Sequence, residues 1–388
     1  MIKVTISKGN IKYIKESHIK RYKKSILDYL ENEKSLINWN ETEYSILLLI
    51  LYLQENINDL LVGEIDKLKQ LIFHIETYYL ISPHKLKKFK KIRQDRRIAR
   101  DSLELKEFIS DYRLTKHLKA VQFSRINEFN DAIEKCITNQ VVKYNTGEDS
   151  NVLEWLQKVF DYESIYIDQD IGSGKLWGAY TYLEKIDCRV CPYCDRQFVY
   201  SFIKGNKKVR AELDHFLPKS NYPYLGLSIF NLVPSCHQCN STFKGTIDPI
   251  SYTIIYPFTE SFGKDVTVDI IPNKANVLKG DSLDFMVDFN VTAIDPFLSS
   301  KLNNSIELFA LNENYLAHKS HIQTILKRLS IYTDSMLDDI SKVLGSSIGS
   351  YSKEKLKRLT YPELNITERQ GKHVLSKLEF DLIEKYFK

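Results

Sequence analysis

The fold is decided by residues 191–245, which read CPYCDRQFVYSFIKGNKKVRAELDHFLPKSNYPYLGLSIFNLVPSCHQCNSTFKG. This stretch begins with Cys191-Pro-Tyr-Cys194 and reaches a second pair, Cys236-His-Gln-Cys239, after 41 intervening residues. Two residues between paired thiols let both sulfur atoms converge on one ion, and two such pairs complete a tetrahedral site. The spacing therefore predicts that the stretch folds around a metal ion.

The predicted metal is structural zinc. Four thiolates select zinc over hard cations and leave no coordination position open for a substrate. The alternative is a set of buried or redox-active thiols. Cys188 lies three residues before Cys191 and could compete as a ligand. We favour Cys191 with Cys194, and we expect Cys188 to be a small buried residue or a spare thiol.

The composition is that of an ordinary globular protein of two or three domains. The chain has 388 residues, of which 43% are hydrophobic and 27% are charged, so it is neither disordered nor collagen-like. Its longest strongly apolar run, Ile46–Leu53, is shorter than the roughly 20 residues that cross a bilayer. The first ten residues lack the apolar segment of a secretory signal. We expect a cytoplasmic protein with no membrane association.

The sequence predicts an α+β protein. Residues 1–150 are predicted to form a mostly helical N-terminal domain for docking or targeting, and 151–187 a connecting helix and loop. Residues 188–250 concentrate Cys, Pro, His and aromatic residues and form the predicted zinc-stabilised core. Residues 251–388 are expected to form strands followed by helices, because 266–271 and 283–291 alternate apolar with polar side chains before helical periodicity returns.

Within the core, two segments flank Gly205-Asn206 and predict a hairpin of 197–203 with 207–214. A loop with Leu213-Asp-His215 and Asn231-Leu follows, and a short helix is expected after Cys239-Asn240. This order and these residues resemble the HNH endonucleases, which have a ββα-metal core. The resemblance covers about 60 residues, and its motifs are specific in combination but weak individually.

The resemblance implies a role for each matching position. His215 would be the general base, Asp214 and Asn240 would bind the catalytic metal ion, and Asn231 would brace the loop. Asn at the last position is a variant that the family also uses. Glu212, two residues before Asp214, is a weaker candidate for the metal, and its alternative is a solvated surface residue. The alternative to catalysis is that Asp214 is a structural acid and His215 a histidine whose hydrogen bonds are satisfied within the fold.

The chemistry of phosphodiester hydrolysis suits these residue types. An enzyme must activate water, shield the negative phosphate and stabilise the leaving 3′ oxygen, and a divalent ion can do the last two. A carboxylate and an amide oxygen are hard ligands suited to Mg²⁺ or Mn²⁺. An imidazole with a pKa near its intrinsic value of about 6.5 suits deprotonation of water, provided a hydrogen bond fixes its other nitrogen. Adjacent Asp214 and His215 can share a site only if the strand ends or twists there.

Basic residues predict contacts with nucleic acid. The formal charge of +5 is too small to imply such binding by itself, but 188–250 has eight basic and four acidic residues. The favoured phosphate contacts are Lys207, Lys208, Arg210, Lys219 and Lys244. A basic block at 85–100 could extend this surface or be a solvated helix face. Gly172-Ser-Gly-Lys175 lacks the P-loop pattern, so nucleotide hydrolysis by this chain is rejected.

The stretch Leu213-Asp-His-Phe-Leu-Pro-Lys-Ser220, followed by Tyr222-Pro223 and Cys239-Asn240, resembles the HNH subunits of bacterial Septu-type anti-phage systems, including those linked to retrons, in which a separate ATPase takes part. The resemblance implies a DNA-cleaving defence effector with an ATPase partner, and RNA is not excluded as a substrate. One alternative is a zinc-stabilised nucleic-acid-binding module without cleavage. Another is an ATPase-interacting subunit with an inactive nuclease core. Cleavage that depends on His215 would distinguish the first function from the other two.

Overall fold

The computed structural model describes residues 1–36, 41–79, 141–143, 149–205, 207–345, 352–365 and 369–387. Helices and short antiparallel strands make up these segments, which confirms the predicted α+β class. The basic block at 85–100 lies outside the described residues. Contacts divide the chain into two units, 1–7 with 183–214 and 233–388, and 8–182 with 215–232. The domain boundaries expected at 150, 187 and 250 stay predictions.

The unit containing 8–182 is built mainly from helices. Its elements are α1 (Lys8–Leu36), α2 (Glu41–Glu55), α3 (Ile57–Val62), α4 (Ile65–Tyr78), β1 (Val141–Lys143), β2 (Asp149–Asn151), α5 (Val152–Val159), β3 (Gln169–Asp170), β4 (Leu176–Trp177) and the start of α6 (Ala179–Ile186). Buried residues recur every four positions along α1, at Ile14, His18, Tyr22, Ile26 and Leu30, so one helical face enters the core.

Segment 215–232 is anchored to this helical unit by buried hydrogen bonds. His18 Nε2 lies 2.7 Å from the Leu227 carbonyl oxygen, and Trp177 Nε1 donates to His18 Nδ1 at 3.1 Å. Burial lowers the pKa of His18 to about 3, so its imidazole is neutral and donates to Leu227. Ser228 donates to the Leu60 carbonyl oxygen. The segment that begins with His215 therefore has a fixed position within its unit.

The other unit contains the cysteine-rich stretch and the C-terminal region. Its strands are β5 (Phe202–Lys204), β6 (Lys207–Val209), β7 (Glu212–His215), β8 (Leu232–Ser235), β9 (Val266–Pro272) and β10 (Phe285–Val291), although β7 and β8 each reach one residue into 215–232. Its helices are α7 (Pro296–Leu308), α8 (Leu311–Leu316), α9 (Lys319–Ile331), α10 (Asp334–Gly345), α11 (Lys353–Thr360) and α12 (Ser376–Tyr386), with a π-helical turn at Gln238–Lys244.

The predicted alternation in 266–271 and 283–291 is confirmed by an antiparallel pair. Phe285 lies opposite Pro272, and Val291 lies opposite Val266. Alternate side chains of β9 and β10 are buried, and Asp381 of α12 accepts a hydrogen bond from the Val268 amide at 2.7 Å. One face of this hairpin is therefore part of the core, as a period of two requires.

The central hairpin is shorter than predicted. Phe202–Lys204 pairs with Lys207–Val209, and Arg210-Ala211 separates β6 from β7. β7 pairs with β8 rather than extending the hairpin. Burial explains the choice, because every described residue of β5 and β6 is exposed, whereas β8 is buried throughout. The short helix expected after Cys239 is confirmed as the turn at Gln238–Lys244.

Gly172–Lys175 connects β3 to β4 as a hairpin loop, with the Ile171 amide bonded to the Lys175 carbonyl oxygen at 2.8 Å, so it has no strand–loop–helix arrangement.

Among the described helices, none combines the length and the apolar character needed to cross a bilayer.

Candidate functional site

The four cysteines of the two C-x-x-C pairs converge. Their sulfur atoms all lie within 4.8 Å of one another, and Cys194 Sγ is 4.0 Å from Cys236 Sγ. Cys191 and Cys194 lie on a tight turn, while Cys236 follows β8 and Cys239 lies in the π-helical turn. All four are buried. Four buried thiols at this separation are a donor set that fits a tetrahedral zinc ion.

Cys188 lies outside this cluster. Its thiol donates to the Val190 carbonyl oxygen at 3.1 Å, and burial raises its pKa to about 12. A protonated, hydrogen-bonded thiol of this kind is a small core residue rather than a metal ligand. The geometry thus selects Cys191, Cys194, Cys236 and Cys239, the set that the spacing favoured.

The C-terminal region holds the first cysteine turn in place. Asp195 has a positive φ of 54°, and its buried carboxylate accepts hydrogen bonds from the Lys377 amide at 3.0 Å and from Ser376 Oγ. Tyr315 donates its hydroxyl to the Cys194 carbonyl oxygen at 2.8 Å. Sequence reasoning did not find these contacts, because the partners lie 121 to 182 residues apart along the chain.

Asp214 is buried and has two close partners. Tyr193 Oη donates to Asp214 Oδ2 at 2.6 Å, and Lys244 Nζ donates to Oδ1 at 3.0 Å. Burial, followed by the charge of Asp214, holds the pKa of Tyr193 well above 10, so the tyrosine stays a donor. Lys244 is itself buried, which leaves it without the exposed ammonium that a phosphate contact needs. This lysine occupies the place beside Oδ1 that a cation would take.

Glu212 and Asn240 form a second, more exposed group on the same unit. Asn240 Nδ2 donates to Glu212 Oε2 at 2.7 Å, and His237 Nδ1 lies 2.7 Å from Oε1. About a third of the Glu212 side chain and most of the His237 side chain are exposed. Carboxylate and amide oxygens on an accessible surface are suitable ligands for a hard divalent ion. Sequence reasoning ranked Glu212 below Asp214, and it did not pair His237 with this carboxylate.

His215 lies at the end of β7, in the other unit. Its Nε2 is 3.0 Å from the Gly226 carbonyl oxygen, and its ring packs edge-on against Tyr162 with centroids 4.2 Å apart. A carbonyl oxygen only accepts, so Nε2 of the neutral ring carries the proton and the basic lone pair is on Nδ1. This is the hydrogen bond to one ring nitrogen that a general base needs.

Asn231 fixes the loop that follows β7. Its Oδ1 accepts from the Leu217 amide at 2.7 Å, and its Nδ2 donates to the Leu217 carbonyl oxygen at 2.9 Å. The Asn231 backbone oxygen also accepts from the Phe216 amide at 2.9 Å. Three hydrogen bonds from one buried residue therefore hold the loop next to His215.

The candidate phosphate contacts differ in their surroundings. Lys207 and Lys208 are exposed on β6, and Arg210 is half-buried with its guanidinium 3.4 Å from the Ala211 carbonyl oxygen. Lys219 is exposed. Its Nζ lies 4.5 Å from the Tyr162 ring centroid and 3.5 Å from the Glu163 carboxylate. The lysines of β6 are therefore the best placed of the predicted set to meet a polyanion.

This geometry agrees with the comparison to known families. Residues 191–244 match the HNH endonuclease family model. The match includes all four cysteines of the cluster together with Asp214, His215, Asn231 and Asn240. It confirms, over these residues, the resemblance found in the sequence.

Two curated proteins are similar to part of the chain. Septu protein PtuB of Bacillus thuringiensis is 33% identical over 90 residues, which are 23% of this chain and 32% of that protein. Protein ea31 of Escherichia phage lambda is 32% identical over 72 residues, which are 18% of this chain and 21% of that protein. The chain thus spans a third or less of the length of these relatives. No solved structure matches it.

Proposed function

We propose that the protein is a metal-dependent HNH endonuclease that hydrolyses DNA phosphodiester bonds and leaves 5′-phosphate and 3′-hydroxyl ends. The observation that carries this proposal is the hydrogen bond that orients His215, within the segment that matches the HNH endonuclease family model. Its Nε2 lies 3.0 Å from the Gly226 carbonyl oxygen, which is the orienting hydrogen bond that a general base needs, and the imidazole would take a proton from the attacking water.

The other residues take supporting roles in the proposal. Asp214 and Asn240 are the proposed ligands of a catalytic Mg²⁺ or Mn²⁺, and an ion bound by Asp214 Oδ1 would have to displace the Lys244 ammonium. The accessible carboxylate of Glu212, beside Asn240, is a candidate ligand that needs no such displacement. When bound, the ion would neutralise phosphate charge and stabilise the leaving oxygen. Asn231 keeps the loop after His215 in place. Zinc held by the four thiols would be structural and would take no part in the chemistry.

We further propose that the protein acts in an anti-phage defence system with a separate ATPase, in the cytoplasm. The similarity to a protein named as a Septu component supports this assignment. Purification of the chain together with the product of an adjacent ATPase gene would test the partnership directly.

Cleavage is tested with the full-length, zinc-loaded protein, supercoiled plasmid and Mg²⁺ or Mn²⁺, with and without the ATPase. We expect nicking that His215→Ala lowers by about two to four orders of magnitude, since removal of a general base has effects of this size. His373→Ala changes an exposed histidine elsewhere in the same chain and should leave nicking unchanged. Plasmid binding should survive in both variants.

The alternative functions give different results in the same assay. A binding module without cleavage would retain plasmid in both variants and never nick it. An inactive ATPase-associated subunit would copurify with the ATPase and show no nicking under any of these conditions. Nicking that is equal in His215→Ala and in the unmodified protein would contradict the proposed general base.

A further inference from the structure

The segment 198–205 with 207–210, which we refer to as the aromatic hairpin, exposes large rings to water. The exposed fraction is 56% for Phe198, 54% for Tyr200 and 46% for Phe202. Rings of this size normally enter a core or an interface. A two-stranded hairpin without a buried face gains little stability from such side chains. Their placement therefore indicates contact with another molecule.

Phe202 lies in β5, and Phe198 and Tyr200 lie in the chain that leads into it, where Phe198 pairs with Val190 and the intervening Val199 is buried. The three rings form a row at alternate positions, and the Tyr200 and Phe202 centroids are 6.0 Å apart with ring planes only 19° from parallel. The Phe198 and Tyr200 centroids are 6.4 Å apart. In the register of the hairpin, Phe202 lies opposite the exposed Val209, whereas Ile203 lies opposite Lys208 on the other face. The row is thus a continuous aromatic surface.

Positive charge surrounds this row. No acidic residue occurs between Asp195 and Glu212, whereas this interval holds Arg196, Lys204, Lys207, Lys208 and Arg210. Lys204 and Lys207 are opposite each other at the tip, and like charges in this position destabilise a hairpin. Within the part of the chain that the structure describes, neither forms an ion pair. A polyanion would relieve this repulsion, since it supplies the missing negative charge.

A cavity of about 490 Å³ adjoins the row, with Phe198 and Tyr200 in its lining. Both acidic residues of its wall have cationic partners: Asp187 pairs with Arg189 at 3.0 Å and with Lys372 at 3.9 Å, and Glu184 pairs with Lys185 at 3.0 Å. Cavities of this size hold ring-containing small ligands. The aromatic row therefore has open space beside it into which a planar ring can enter.

We propose that the aromatic hairpin binds unpaired bases of a single-stranded DNA segment, with the bases stacked on its rings and the phosphates beside its lysines. Every base has a stacking face, so this mode tolerates many sequences, and duplexed bases are not accessible to it. Only Arg210-Ala211 separates β6 from β7, so the hairpin that would bind the DNA strand is close in sequence to Glu212 and Asp214. The choice of DNA rests on the proposed nuclease function.

The test is binding of a fluorescent, mixed-sequence DNA strand of about 20 nucleotides, longer than the site size of a single binding fold. The full-length, zinc-loaded protein carries His215→Ala so that the probe stays intact. We expect the single strand to bind more tightly than its duplex. Tyr200→Ala and Phe202→Ala should each weaken single-strand binding about 5- to 150-fold, the range for loss of one stacked base. Tyr200→Phe and Phe202→Trp should retain it.

Ile203→Ala is the matched control, because Ile203 is 54% exposed on the opposite face of the same hairpin. It should leave single-strand binding unchanged, and circular dichroism should show equal melting for all the variants. Equal loss in Ile203→Ala and Phe202→Ala would overturn the stacking role. So would duplex binding as tight as single-strand binding. Tighter binding of an RNA strand of the same sequence would overturn the DNA assignment.

Two further outcomes separate this inference from the proposed function. If alanine variants of the row lose single strands while the unmodified protein never cleaves DNA, the hairpin inference stands and the nuclease proposal falls. If they cleave and bind DNA normally but lose the ATPase, the row is a protein interface and the inference is overturned.

Discussion

Two antiparallel hairpins of the same unit differ in the burial of their side chains. In β9–β10, alternate side chains enter the core, and Phe289 packs edge-on against Tyr315 with centroids 4.9 Å apart. In β5–β6, every described residue is exposed. The same secondary structure is therefore packed into the core in one case and exposed to water in the other, where the cysteine turn precedes it and β7 follows. This leaves the side chains of β5–β6 available for binding.

Removal of zinc should produce the largest difference in hydrogen-exchange protection between the two hairpins. Structural zinc contributes roughly 10–16 kcal/mol in zinc-finger peptides, and β5–β6 has no core of its own to replace it. We expect chelation, or Cys239→Ser, to speed amide hydrogen exchange sharply at 189–199, in β5 and β6, and at 236–244. β9 and β10 should retain their protection, because they pair with each other over seven residues and Val268 donates to the buried Asp381 of α12.

Hydrogen exchange followed by mass spectrometry measures both hairpins in one sample. Cys188→Ser is the matched control, since Cys188 lies outside the cluster and should leave the exchange at 236–244 unchanged. If chelation exposed β9–β10 as strongly as 189–199, the two hairpins would form one cooperative unit and the contrast would fail.

Truncation of one aromatic residue in each hairpin should give the next largest difference. Phe289→Ala removes a buried ring and should lower the free energy of unfolding by about 3–5 kcal/mol. Phe202→Ala removes an exposed ring and should change it by no more than about 0.5 kcal/mol. Urea unfolding followed by circular dichroism measures both. Comparable losses in the two variants would show that Phe202 is part of the fold.

Replacing a buried lysine should lower the free energy of unfolding more than replacing an exposed one. Lys244→Ala leaves the buried Asp214 with Tyr193 as its remaining close partner and should cost about 3–5 kcal/mol, towards the lower end because that hydrogen bond persists. Lys207→Ala, on the exposed strand, should cost about 0.5 kcal/mol or less. The double variant Asp214→Asn with Lys244→Met should recover part of the loss, as measured by urea unfolding. A Lys244→Ala protein of unchanged stability would contradict the buried ion pair.

Local patterns predicted those features whose cause is local. Two residues between thiols fixed which cysteines could converge, and alternation identified β9 and β10 because the side-chain period of a strand is two. The predicted hairpin was too long because Arg210-Ala211 carries no turn signal. β8 was not predicted as a strand, since Pro234 counts against a strand interior. Its pairing with β7 depends on burial, which a short sequence window does not contain.

By itself the sequence determined the four-thiol cluster, the mixed fold and the HNH motif with its histidine and asparagines, because each depends on residue type at short spacing. The tertiary structure alone decided that Lys244 is buried against Asp214, 30 residues away, and that His215 gives Nε2 to Gly226. It also decided that the aromatic row faces water. Burial, tautomer and partner are set by the atoms that surround a side chain in space, and those atoms come from distant parts of the chain.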